Sequence, residues 1–201
     1  MIANILCAMR NSKDEKAANH ERIVGVAARQ IRERGTDQPG VAEIMRAAGL
    51  THGGFYKHFG SRDELIDEAV ALALTDNELQ AEQLLASADG DPMAAFADWY
   101  VSTAHRDDPG AGCGVAALGP DVSRIGGTAQ EAYRTQVDRY LAHLQTLIGD
   151  DDLNSRRDAL VTLSTMVGAL VIARGLGRIE RSDELLDTVR ETIRERRPLA
   201  R

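Results

Sequence analysis

Residues 41–62 carry three permanent cations, Arg46, Lys57 and Arg62, against the single carboxylate of Glu43, with His52 and His58 in addition. The protein as a whole is acidic, with 24 Lys+Arg, 31 Asp+Glu and a formal net charge of −7. Residues 1–75 balance basic against acidic side chains, so the whole excess of acid lies in residues 76–201. A locally positive segment in an acidic chain suits phosphate, whose charge dominates affinity for nucleic acid. The cations are nearly all arginine, and general arginine usage is not read as nucleic-acid binding. Lysine occurs only at Lys13, Lys16 and Lys57, and only Lys57 lies within the compact part of the sequence.

Other chemistries find little to build on. There is no Gly-x-Ser-x-Gly, no His-Glu-x-x-His and no phosphate loop ending in Gly-Lys. Gly110-Ala-Gly112 runs on to Val115 where a dinucleotide fingerprint needs glycine, and no strand precedes it. The histidines at 20, 52, 58, 105 and 143 form no i,i+4 pair, so a helix-borne metal site is not expected. His105 with Asp107 and Asp108 reads as a solvated turn. No catalysis, cofactor or metal is therefore expected. Cys7 and Cys113 are far apart and suggest no disulfide framework, which suits a reducing compartment. No apolar run is expected to span a membrane, and residues 1–9 are too short for a secretory signal. A cytoplasmic protein is expected.

The positioning elements read as all-α. The chain has 43% hydrophobic residues but only three Phe, four Tyr and one Trp, a composition that favours helices over sheets. Residues 1–13 show no period and are expected as a flexible extension. Ser12-Lys-Asp-Glu15 has the form of a capping box, after which Ile23, Ala27 and Ile31 recur at helical spacing towards Gly35. Val41, Ile44, Met45 and Ala48 mark a short second helix that stops at Gly49. Thr51 is placed to cap a third, on which Phe55 and Phe59 point inward together. Ser61-Arg-Asp-Glu64 is a second capping box, opening a long helix. Helices are also expected at residues 93–104, 115–124, 128–148, 155–174 and 182–196, with a Gly/Pro loop at 106–114. The total is about nine.

Two short helices joined by a tight glycine-containing turn, with a packing helix before them, form a helix-turn-helix. Its second helix enters the major groove, so it needs small or polar residues outward and apolar residues inward. Gly53 and Gly54 are poor helix formers, and close approach of backbone to DNA is one reason to have them. The stretch from Ala42-Glu-Ile-Met-Arg-Ala-Ala-Gly through Phe55-Tyr-Lys-His-Phe-Gly-Ser-Arg to Leu65 resembles the DNA-binding segment of the tetracycline-repressor (TetR, AcrR-like) family of transcriptional regulators. The resemblance covers residues 18–75 closely; beyond them only the number and length of helices agree.

It implies a helix-turn-helix DNA-binding domain at residues 14–62, with helix four linking from 61, and a larger helical ligand-binding and dimerisation domain at 63–201. It further implies a homodimer on a palindromic double-stranded operator, probed by two recognition helices and released by a small-molecule inducer. Carried over by position, Thr51 caps the recognition helix and touches phosphate, Tyr56 and His58 contact the backbone, and Lys57 and Arg62 add charge. His52 stands where relatives often carry Lys or Arg. Base readout then falls to His52 and Lys57, aided by Arg46 and by the approach of Gly53 and Gly54 to the bases. The alternative from another class is a helical small-molecule-binding protein that has lost operator binding.

In the second domain Phe96, Trp99, Tyr100, Tyr133 and Tyr140 are candidates to line an inducer pocket, against plain core packing. Cys113, at the start of a helix in Gly110-Ala-Gly-Cys-Gly-Val115, joins them. TetR-like regulators of electrophile or oxidant response resemble this Gly-Cys followed by a small-residue helix, while a structural cysteine is the plainer reading. The last two long helices carry apolar faces at Ala159, Leu160, Leu163, Val167, Leu170 and Val171, and at Leu185, Leu186, Val189 and Ile193; the resemblance implies that they meet their symmetry mates in a four-helix bundle, against the plainer reading of a monomeric core.

Overall fold

The computed structural model describes the backbone of residues 2–76, 78–87, 89–149 and 153–195, and the side chains from residue 13 onward within those ranges except at 79 and 80. Among the described residues there are ten α-helices, two short 3₁₀ helices and no strand. The helices are α1 (Ile2–Arg34), α2 (Val41–Ala47), α3 (Arg62–Thr75), α4 (Glu78–Ser87), α5 (Pro92–Tyr100), α6 (Thr103–Asp107), α7 (Gly114–Ile125), α8 (Gly127–Ile148), α9 (Leu153–Leu176) and α10 (Glu180–Glu195). The 3₁₀ helices are His52–Lys57 and Pro109–Ala111.

The first three-helix unit closes on side chains that the sequence pattern selects. Ile23, Ala27 and Ile31 of α1 meet Ile44, Met45, Phe55, Phe59 and Leu65, all essentially without exposure. The Phe55 and Phe59 rings lie 5.5 Å apart, centroid to centroid. Gly35, at φ 83°, ends α1 in the left-handed conformation that glycine adopts freely, and its N–H donates to the Ile31 carbonyl at 2.8 Å. Ser61 caps α3 by accepting from the Glu64 N–H at 3.1 Å, while the Glu64 carboxylate accepts from the Gly60 N–H at 2.6 Å. The two bonds satisfy donors that the helix itself leaves open.

Three elements differ from the sequence expectation. Helix α1 starts at Ile2, so the Ser12 box lies inside it rather than at its start; Cys7 lies outside the described side chains. Helix α4 is separate from α3. The expected Gly/Pro loop after α5 contains α6, capped by Ser102 accepting from the His105 N–H at 3.1 Å, and then the 3₁₀ turn. Helix α9 is also long and apolar enough to cross a membrane by length and composition, which the sequence reading did not anticipate. Its Ala159, Met166, Leu170 and Ala173 pack inward in the bundle with α8 and α10, while Leu160, Val161, Val171, Ile172 and Leu176 are exposed. Apolar residues on both faces of one helix suffice to give it that hydropathy.

Segment 108–114 straps the two halves together. Arg32 of α1, 6% exposed, donates from Nε to the Gly110 carbonyl at 2.6 Å, from Nη1 to the Ala73 carbonyl at 3.3 Å and from Nη2 to Asp76 at 2.9 Å. At Gly114 the strap can lie this close because there is no side chain: a Cβ there would overlap the Ala73 carbonyl, whereas at Gly110 and Gly112 it would meet the side chains of Glu33 and Arg29, and of Arg174 and His105. His105 fastens its far end. The ring donates from Nδ1 to the Tyr100 carbonyl at 2.7 Å and accepts at Nε2 from the Cys113 N–H at 2.9 Å. Only the neutral ring can do both.

Burial accordingly lowers the His105 pKa from 6.5 to about 4. The unfolded chain takes up this proton near its ordinary pKa, whereas the fold resists until about pH 4. The contribution is therefore present above pH 6.5 and is lost as pH falls towards 4. Between pH 7.5 and 5 it amounts to about 2 kcal/mol. Urea unfolding at the two pH values should show this loss in the parent protein and a pH dependence flatter by about that amount in His105→Gln.

Candidate functional site

The turn and 3₁₀ segment present a consistent outer face. Thr51, His52, Gly53, Tyr56 and Lys57 are exposed, Tyr56 at 75%, and Arg46 stands exposed on α2 across the turn. The expected third helix is 3₁₀ rather than α over His52–Lys57. Thr51 occupies the N-cap position without a side-chain cap bond; its carbonyl instead accepts from the Gly54 N–H at 2.9 Å. Two adjacent glycines weaken the α-helix here, and bonds three residues apart are what remain.

Neither glycine is required by the fold. Both have ordinary negative φ, a Cβ on Gly53 would meet nothing within 4 Å, and one on Gly54 would make normal contact with Met45 at 3.6 Å and Thr51 at 3.7 Å. Side chains at these positions would project into open space or against the turn, so the two glycines keep the outer surface low here.

His58 is half-buried beside His20 and Phe59, and its Nδ1 has no partner among the described residues. Burial first, and then the charges of His20, Lys16 and Lys57, hold its pKa below 6.5. Lys16 on α1 thus joins Lys57 in one positive neighbourhood, which the sequence reading missed by setting the first lysines outside the compact part. The available signal was the i,i+4 spacing of Lys16 and His20 on the helix whose next turns bear Ile23 and Ala27. His20 is itself fixed by Glu68 of α3, Nε2 to Oε2 at 2.7 Å.

Arg62 is engaged inward. Its Nη2 donates to the Thr36 carbonyl at 2.6 Å and towards the Pro39 carbonyl at 3.4 Å, so it holds the α1–α2 loop against the start of α3. An exposed position at a helix start looked free for phosphate; the carbonyls of residues 36–39 supply a nearer partner.

The second site is a cavity of about 290 Å³ between α4, α5, α8 and α9. Five of the six pocket candidates, Phe96, Trp99, Tyr100, Cys113 and Tyr140, line it together with His143, Leu144, Leu163 and Met166. Tyr133 does not line it: its hydroxyl donates to the Val115 carbonyl at 3.1 Å and ties α8 to α7. Cys113 is the N-cap of α7, 1% exposed, with its Sγ 3.8 Å from the Tyr140 hydroxyl. Burial, and then the neighbouring Cys113, push both Tyr100 and Tyr140 well above the ordinary phenol range, so both hydroxyls keep their protons. Arg139 and Glu78 pair at the mouth at 3.3 Å.

The apolar faces expected at an interface divide. Ala159, Leu170, Leu186 and Ile193 are already buried within the chain. The exposed set is Leu160, Val161, Val171, Ile172 and Leu176 on α9, continuing to Ile179.

Comparison with known proteins places this architecture. Residues 23–69 match the family model described as bacterial regulatory proteins, tetR family. The chain is 31% identical over 93 residues to the HTH-type transcriptional regulator AcrR of Shigella flexneri, a match spanning 46% of this chain and 43% of that relative's length. It is 26% identical over 189 residues to an uncharacterized HTH-type transcriptional regulator of Mycobacterium tuberculosis, covering 87% of this chain and 91% of the other. Among solved structures, a TetR transcriptional regulator from Chloroflexus aurantiacus superposes with a TM-score of 0.76 at 23% identity, covering 90% of this chain and 94% of that one. Reduced NemR of Escherichia coli gives 0.72 at 19% identity, covering 91% and 100%. The motif match and the shared fold agree: residues 23–69 carry the segment that the tetR family model describes, and the all-α fold is shared over nearly the whole length with solved TetR-family regulators.

Proposed function

We propose that this protein is a ligand-responsive repressor that binds a palindromic operator as a cytoplasmic homodimer, performs no catalysis, and is released by a small molecule in the α4–α9 cavity. Residues 14–62 form the DNA-binding unit in this reading, and residues 63–201 the ligand-binding and dimerisation unit. The observation that carries it is the outer face at 46–58. Lys57, Tyr56, His52 and Arg46 stand exposed around two glycines that the fold does not need, over a core closed by Phe55 and Phe59. Lys57, with Lys16 behind it, supplies phosphate contacts, and Thr51 and Tyr56 supply hydroxyls to the same backbone.

The exposed apolar residues of α9 support the dimer. Gly168 and Gly175 lie on the same helix with open space around them, so a second α9 can approach closely. Two-fold symmetry then places two recognition segments on successive major grooves.

Random-sequence selection followed by fluorescence anisotropy tests the reading. The parent protein should bind the selected duplex more tightly than scrambled DNA, with affinity falling steeply as salt rises. Lys57→Ala should weaken binding to all sequences and flatten the salt slope by about one for each lost phosphate contact. Affinity no better than for scrambled DNA at low salt would leave a helical small-molecule-binding protein instead.

Gly53→Ala separates the roles of surface and fold. The added Cβ meets nothing in the protein, so thermal unfolding should show stability kept or raised by up to about 1 kcal/mol. Operator affinity should nonetheless fall about tenfold, or about 1.4 kcal/mol, because the methyl group stands between backbone and groove. Unchanged operator affinity would remove the assigned role of Gly53.

A further inference from the structure

The cavity between α4, α5, α8 and α9 holds buried hydrogen-bonding groups without matching partners. The Tyr100 hydroxyl is 3% exposed as a residue and has no oxygen or nitrogen partner among the described residues; its polar neighbour is the weakly bonding Cys113 thiol. His143 Nε2, on the facing helix, is likewise buried and unpartnered. A buried hydroxyl without a partner costs about 1–3 kcal/mol relative to a paired one, so a ligand that supplies an acceptor recovers free energy that a plain hydrocarbon does not.

Charge in the ligand meets the opposite situation. The charged side chains that line the cavity, Glu78, Glu82 and Arg139, all come from α4 and α8 and remain partly or fully exposed to solvent, and none stands among the buried aromatic groups. Arg139 is matched by Glu78, and Arg174, which is not part of the lining, donates from Nη2 to the His105 carbonyl at 2.9 Å. An ion entering between Phe96, Trp99 and Met166 would lose its hydration without gaining a partner. The volume of about 290 Å³ sits at the lower end of small-molecule sites and suits one or two fused rings.

Resting on the reading of this cavity as the effector site, we propose that its ligands are compact, uncharged ring compounds bearing an oxygen acceptor, held against the wall that Phe96 and Trp99 form and hydrogen-bonded by the Tyr100 hydroxyl. Tyr100 sets the class as a buried donor: burial first, and then the neighbouring Cys113, raise its pKa, so the hydroxyl keeps its proton. Cys113 contributes wall and not charge.

A matched series tests this on the full chain: 1-tetralone, tetralin, tetralin-1-carboxylate and 1-aminotetralin as its ammonium ion. Trp99 is the chain's only tryptophan and lines the cavity, so its emission reports occupancy, with calorimetry giving affinity. 1-Tetralone should bind about tenfold more tightly than tetralin, and both charged members more weakly than either. Tyr100→Phe should bring 1-tetralone down to the tetralin affinity and leave tetralin unchanged. A charged member binding as tightly as 1-tetralone, 1-tetralone affinity unaltered in Tyr100→Phe, or no member perturbing Trp99 would each overturn the proposal. Binding of 1-tetralone with the expected Tyr100 dependence, but without any loss of operator affinity, would support the ligand class while overturning release from the operator.

Discussion

One buried guanidinium holds the two functional halves in register. Arg32 comes from α1, the helix on which α2 and the 3₁₀ segment pack, and its three bonds reach the strap at Gly110, the end of α3 at Ala73 and the side chain of Asp76. A planar fork with fixed donor directions can satisfy these three acceptors together only in one arrangement of α1, α3 and the strap. Breaking such a set leaves carbonyls without partners in a closed junction, which makes the arrangement two-sided: it is kept whole or it is given up. The buried apolar core also runs across the junction but fixes no direction, and exposed pairs such as Arg29 with Asp108 contribute little individually.

The strap extends this constraint to the cavity. Gly114 lies against the Ala73 carbonyl, Cys113 follows the His105 ring through its N–H, and His105 holds the Tyr100 carbonyl. Tyr100 and Cys113 are cavity wall. A ligand that shifts either side chain therefore presses on a chain of short, directional bonds ending at Arg32, with no loose segment between to absorb the movement. For the proposed regulator, linkage makes such a coupling reciprocal: operator binding changes ligand affinity by the same factor as the ligand changes operator affinity.

The sequence disclosed the first three helices because every local signal agreed: a period of three to four in Ile23, Ala27 and Ile31, the Ser61 box, and glycines at the stops. It disclosed most of the cavity wall because Phe96, Trp99 and Tyr100 are large residues in a chain with few aromatics. What it could not disclose depended on partners distant in sequence. Arg62 reads as a surface cation until the carbonyls of 36–39 come within reach, and Tyr133 reads like Tyr140 until Val115 claims its hydroxyl. Helix α9 is apolar on two faces, so periodicity cannot divide its inward residues from its exposed ones. Helix α4 continues the apolar pattern of α3 with only a short interruption, and no capping motif announces it. Gly110, Gly112 and Gly114 read as part of a Gly/Pro loop, which does not disclose that the bareness of Gly114 lets the strap lie against the Ala73 carbonyl.

The coupling of DNA face to cavity can be measured before any inducer is known. Trp99 stands in the cavity wall and is remote in sequence from every DNA-facing residue, so its emission is read while a selected operator duplex is titrated into the protein. The account predicts a saturable change in Trp99 emission with the same midpoint as operator binding by anisotropy, and its loss in Arg32→Lys, which keeps the charge but not the three-way fork. Trp99 emission that stays constant while the operator saturates would contradict the coupling through Arg32.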